Sequence, residues 1–174
     1  MAYTEVPTVN TSDSWSASDH NTYVKDNFIY LKNKTDLLVT NPARCMVSRI
    51  TDWSTDTTLS NVTWETEVLD TDTMFTDGNP ARITITTAGL YLVTGKITWS
   101  SGTAGSYRHV GFYVNGDTAL IVAALTVPAA SAGVTPSSLS GLYIFSVADY
   151  IQMKTQSGEA ENATDANMAV IRLV

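Results

Sequence analysis

Two histidines, one cysteine and 17 carboxylates make up most of the chain's reactive inventory, and their spacing offers little chemistry. His20 falls in a helix-like stretch and His109 in a strand-like run beside Arg108. Neither has a Cys partner, a second His at ligand spacing, or an H-E-x-x-H frame. The sequence also lacks a G-x-S-x-G elbow, a P-loop and a G-x-G-x-x-G turn, the local geometries that activate a serine or cradle a phosphate or dinucleotide. Cys45, inside Ala43-Arg44-Cys45-Met46-Val47, stands alone, so one chain can form no disulfide and no Cys-based zinc site; it reads as a small buried hydrophobe. Two carboxylates brought about 5–9 Å apart by a fold could still serve a glycosidase. No motif points to such a pair, so the expectation is a non-enzymatic chain without a cofactor.

One acidic cluster could hold a cation. Asp70, Asp72, Asp77 and Asn79 crowd into a loop with Gly78, and hard oxygen ligands on a flexible loop suit Ca²⁺. Their spacing is not that of an EF-hand, and the alternative is a solvated turn whose Asp and Asn side chains cap backbone N–H groups. Glu159, Glu161 and Asp165 form a second acidic group, read as a solubilising surface.

The elements that would position these residues follow from composition and pattern. At 44% hydrophobic and 16% charged, a chain of 174 residues can bury a core without disulfides or metals. The balance is acidic, with a net charge of −7 and no basic run, so nucleic acid is not an expected partner. No apolar run approaches the roughly 20 residues of a membrane span, and the N-terminus lacks the charged and apolar regions of a signal peptide. Membrane insertion and secretion are therefore not expected, and synthesis in a cytoplasm is. Thr, Ser, Ala and Val outweigh Lys and Glu, which favours strands. The N-x-S/T sequons at Asn10, Asn33, Asn61 and Asn162 read as chance in a Thr-rich chain.

Residues 1–16, with Pro7 and no period, read as an extended arm that needs a partner surface. Val24, Phe28 and Leu31 then recur at spacings of four and three behind a Ser18-Asp19 cap, predicting one short amphipathic helix over about 18–32. In the same register Ala17, Asn21, Val24, Phe28, Leu31 and Leu38 occupy a and d positions. They could seed a short trimeric bundle, or the helix could pack on its own domain or on a neighbouring protein. Trp15, Val24, Phe28 and Leu31 are the anchoring or oligomerising candidates. An attachment arm over 1–40 thus precedes a folded domain over 41–174.

Beyond Asn41-Pro42, short β-type runs alternate with turns, as in a sandwich or barrel. Strands are predicted near 43–50, 61–69, 82–86, 90–99, 107–114, 118–126, 139–145, 149–155 and 166–173. Asn115-Gly116 between two such runs is the clearest hairpin signal. Arg82-Ile83-Thr84-Ile85-Thr86 alternates, so it has one wet and one dry face. Ala119-Leu120-Ile121-Val122-Ala123-Ala124-Leu125 is apolar throughout, which predicts that both faces are covered, a subunit interface being one way to cover the second.

The run Ile83-Thr84-Ile85-Thr86-Thr87-Ala88-Gly89-Leu90-Tyr91-Leu92-Val93-Thr94-Gly95 resembles the Gly-x-Tyr strand of the complement globular-head and tumour-necrosis-factor-like jelly rolls. Trp64 to Asp72 is similar to the strand and loop that open this sandwich in phage-encoded versions. Val114-Asn115-Gly116, Val147-Ala148-Asp149-Tyr150-Ile151-Gln152-Met153 and Met168-Ala169-Val170-Ile171-Arg172-Leu173 follow in the family's order. The resemblance spans about 43–174. In the arm, residues 15–27 are similar to a segment near the start of phage tail and virion proteins. The collagen-like stalk of the animal members is missing, so no immune or hormone-like role is carried over.

The resemblance implies an all-β jelly-roll β-sandwich with a short N-terminal arm and helix, assembling as a homotrimer. Tyr91, Tyr113, Tyr143 and Phe145 are candidates for the threefold axis, each with ordinary sandwich core as the alternative. It further implies a bacteriophage structural protein located in the virion and bound to other virion proteins, as a capsid decoration or head fibre. The alternative is a tail-fibre or baseplate protein that attaches to host cell-surface glycan. Trp53, Trp99 and Tyr107 would then stack on sugar, unless they belong to core or interface.

Overall fold

The structure is a computed structural model that describes residues 25–31, 42–103, 106–130 and 133–173. The chain divides into two compact units, Met1–Pro42 and Ala43–Val174. In the first, residues 25–31 are helical, within the predicted stretch, and Phe28 and Leu31 are 69% and 60% exposed. Trp15 and Val24, with the outer heptad positions Ala17, Asn21 and Leu38, lie outside the described residues.

The second unit is a β-sandwich of two antiparallel sheets. Its strands, in chain order, are β1 (Arg44–Arg49), β2 (Trp53–Thr55), β3 (Ser60–Asn61), β4 (Thr66–Asp70), β5 (Ile83–Thr84), β6 (Gly89–Trp99), β7 (Tyr107–Val114), β8 (Ile121–Pro128), β9 (Thr135–Phe145), β10 (Tyr150–Ser157) and β11 (Glu161–Arg172). One sheet runs β4-β1-β11-β6-β9 with β2 paired to β11; the other runs β3-β10-β7-β8 with β5 paired to β10. Sequential strands β6 and β7 lie in different sheets, as do β8 and β9 and then β10 and β11. This repeated crossing between layers is the jelly-roll path.

Period-two burial explains the core. On β6, Tyr91, Val93, Gly95, Ile97 and Trp99 point inward and are buried. They meet Val110, Phe112 and Val114 of β7, Ile151 and Met153 of β10, and Met168 and Val170 of β11 in one cluster. Gly95 is required by that packing: a Cβ there would lie 2.6 Å from Met153 Cε and 2.7 Å from the Asn167 carbonyl oxygen. The expected hairpin after β7 is present. Asn115 and Gly116 both take positive φ, 52° and 73°, the paired left-handed geometry that Asn-Gly accommodates.

One expectation needs correction and two features differ from the pattern read in the sequence. The segment predicted as one strand over 61–69 is β3 and β4 with an irregular stretch between them, where Trp64 is buried and its N–H bonds the Pro80 carbonyl at 2.7 Å. β2 was not predicted; three residues are too few to show a period. Among the described residues of the single chain, one face of Ala119–Leu125 is open, the face for which a subunit interface was one expected cover. β8 is an edge strand, and Leu120 and Ile121 are 42% and 46% exposed.

Candidate functional site

The surface that stands out is the outer face of the six-stranded sheet. Register decides which residues share it, because directly opposed residues of antiparallel strands point the same way. Leu142 of β9 faces Leu92 of β6, Leu92 faces Ile171 of β11, and Ile171 faces Arg44 of β1. The adjacent row pairs Ile144 with Leu90, and the next brings Ser140, Thr94, Ala169 and Met46 together. A further row is polar, with Ser138, Lys96, Asn167 and Ser48, and Lys96 pairs with Asp165 at 3.3 Å. The face is thus apolar where β6 begins and polar toward where it ends. Leu142 and Ile144 are 58% and 76% exposed, and Val147 and Leu173 nearby are exposed too. Apolar side chains gathered this way on a sheet surface mark an interaction site.

The four aromatic residues proposed for a threefold axis lie elsewhere. Tyr91 and Phe145 are buried in the single chain, their rings edge-to-face at 5.7 Å, and the Tyr91 hydroxyl donates to the Thr87 carbonyl. Tyr143 packs beside Phe145 at 4.7 Å and is partly exposed. Tyr113 is on the outer face of the other sheet, bonded through its hydroxyl to His109 Nε2 at 2.8 Å. Burial raises the pKa of the Tyr113 and Tyr91 hydroxyls and lowers that of His109.

The sugar-stacking candidates do not form a platform. Trp53 and Trp99 flank Ala163 in one row of the six-stranded sheet. Trp99 is wholly enclosed, and Trp53 is partly buried with the Arg49 guanidinium 4.8 Å from its ring centre. Tyr107 alone is well exposed.

In the acidic loop the carboxylates are engaged by the loop itself. Asp70 accepts the N–H groups of Asp72 at 3.0 Å and Phe75 at 2.8 Å, and Asp72 accepts the hydroxyls of Thr86 and Thr87. Asp77 and Asn79 are exposed, and among the described residues no three His, Cys, Asp or Glu side chains converge as a metal site would need. The Asp70 contacts are the backbone capping that Asp supplies in turns, and the Asp72 contacts tie the loop to two threonine side chains. Glu161 is not the surface solubiliser expected of it. It is buried and paired with Arg108 at 2.6 Å.

What the sequence reading missed was the outer apolar face. A signal existed: Leu90-Tyr91-Leu92-Val93 and Leu142-Tyr143-Ile144-Phe145 are apolar at consecutive positions, so each strand carries apolar side chains on both faces.

No protein-family model matches the sequence, and no curated protein does. Solved structures do. Murine APRIL crystallised at pH 5.0 superposes with a TM-score of 0.60 at 12% identity, covering 76% of this chain and 100% of that one. Murine APRIL at pH 8.0 gives 0.56 at 13% identity, with 76% and 100% covered. The globular domain of zebrafish complement 1qA protein gives 0.52 at 11% identity, with 76% and 98% covered. At such identities the likeness is one of fold: the chain carries a jelly-roll sandwich of the tumour-necrosis-factor and complement globular-head type.

Proposed function

We propose that this protein is a non-enzymatic structural component of a bacteriophage virion, a homotrimeric jelly-roll module held to the particle by its N-terminal arm and serving as a capsid decoration or head fibre. The observation that carries the trimer is the outer face of the six-stranded sheet. Leu142, Ile144, Leu90, Leu92 and Ile171 form contiguous apolar rows there. Burying one exposed Leu or Ile contributes about 1.5–3 kcal/mol, so several per subunit can drive association. Placement on a virion rests on the arm's similarity to phage virion segments and on the exposed Phe28 and Leu31 of its helical part.

The test is to mix purified protein with particles stripped of it, comparing the full chain with a chain lacking residues 1–40. The full chain should sediment with the particles and the truncated one should not, while light scattering gives three subunits for both. A truncated chain that is monomeric would move the oligomerising role to the arm, and a full chain that ignores particles overturns the virion role. A second reading is a tail or baseplate protein that binds host glycan. A polar cleft on the five-stranded sheet favours it.

A further inference from the structure

That cleft takes in Asn79 of the acidic loop but none of Trp53, Trp99 and Tyr107. Arg82 leads into β5 from a turn that is pinned at three points. The Asn79 N–H donates to the Thr76 carbonyl at 3.0 Å, the Arg82 N–H to the Asn79 carbonyl at 3.3 Å, and the Trp64 N–H to the Pro80 carbonyl at 2.7 Å. The pairing of Ile83 with Ile151 and Thr84 with Tyr150, continued by one residue, sets Arg82 across from Gln152 on the sheet's outer face. There the Arg82 guanidinium lies 4.6 Å from the centre of the Tyr150 ring. Residues 78–82, Tyr150 and Gln152 enclose an open cleft of about 210 Å³.

The cleft's polar groups are left unspent. Among the described residues Arg82 pairs with no carboxylate, although acidic groups outnumber basic ones 17 to 10 in the chain. Its Nε is buried and bonded to nothing there. The Gln152 side chain, in a residue only 9% exposed, likewise has no hydrogen-bond partner among the described residues. Packing against Tyr150 holds the guanidinium in place, so its planar fork is set in advance for an oxyanion. Amide side chains at Asn79 and Gln152 both donate and accept, as sugar hydroxyls require. Whole small-molecule ligands take pockets of about 300–1,000 Å³, so a cleft of this size suits one unit of a longer chain that continues into solvent.

We propose that this cleft binds an acidic sugar unit of a glycan, with its carboxylate on Arg82 and its hydroxyls on Gln152 and Asn79. The proposal rests on the glycan-binding reading and is independent of the trimer and of the capsid role. Full-length protein would be titrated by calorimetry with sialyllactose, trigalacturonate, lactose and sodium acetate, and the titration repeated with Arg82→Gln and Gln152→Ala. At least one of the two acidic saccharides should bind, more weakly as salt is added, while lactose and acetate do not. Arg82→Gln should weaken binding at least tenfold and Gln152→Ala at least threefold. Should Arg82→Gln fail to fold, Gln152→Ala, which leaves the turn's three hydrogen bonds in place, decides alone. The proposal is overturned if neither acidic saccharide binds, if acetate competes equally, or if a folded variant binds like the parent. Lactose bound as tightly as sialyllactose would also sink it, yet would leave the glycan-binding reading standing.

Discussion

Arg108 Nε donates to Glu161 Oε2 across 2.6 Å, with the two side chains 0% and 1% exposed, so a full ion pair spans the sandwich interior from β7 to β11. Arg108 also donates to the Ser100 carbonyl and lies with its guanidinium carbon 5.6 Å from the Trp99 ring centre. Desolvating both charges offsets much of their attraction, but removing one strands the other in an apolar interior. Arg108→Met alone or Glu161→Leu alone should each lose about 3–5 kcal/mol of stability in urea unfolding. The double variant should recover most of that loss. Single variants as stable as the parent would show the pair to be solvated.

The apolar rows on the six-stranded sheet make a separate prediction. Leu142→Asp with Ile144→Asp introduces two charges at the most exposed points of the face. The protein should remain folded by circular dichroism, since neither side chain enters the core, while its mass by light scattering falls to that of one subunit. An unchanged mass would move the interface elsewhere.

His109 predicts a pH dependence in the window below the ordinary histidine value of 6.5. Burial lowers its pKa below the ordinary 6.5, and its neutral ring bonds Thr126 through Nδ1 and Tyr113 through Nε2, each at 2.8 Å. A base whose folded pKa is depressed stabilises the fold fully above the unfolded value and progressively less as pH falls toward the folded one. The melting temperature should therefore drop on acidification through this window, and His109→Gln should flatten that part of the curve. Equal slopes for parent and variant would refute the assignment.

Cys45 is 1% exposed, and burial, with Asp70 and Glu67 adding to it, pushes its thiol up to about 12. The thiolate is the reactive form, so native protein at pH 8 should resist a thiol-reactive dye, and one equivalent should react once denaturant is added. Fast labelling of the native chain would show that β1 opens.

Much of the sandwich was legible. Ile83 and Ile85, and Ile97 and Trp99, alternate with polar residues and fall on the core side, while Asn115-Gly116 stands at its hairpin. Strand ends were less so. β11 begins at Glu161, several residues before the predicted 166, because Asn162, Thr164 and Asp165 give a strand no apolar period of its own. The site was least legible. Trp53 and Trp99 were chosen by residue type, but pairing with β11 turns both toward the core; Arg82, Tyr150 and Gln152 carry no motif and meet only through the pairing of β5 with β10.

By itself the sequence determined the class of the fold, since period-two patterning and turn residues are local and each strand writes its own. It also determined how little catalysis to expect, because the reactive residue types are few and their motifs absent. Tertiary structure alone decided which of two apolar faces meets water at Leu92 and Leu142, and that Glu161 meets Arg108, 53 residues away, inside the sandwich. Alternation names two faces without saying which is inner. Cross-strand register, set by the whole sheet, makes that choice.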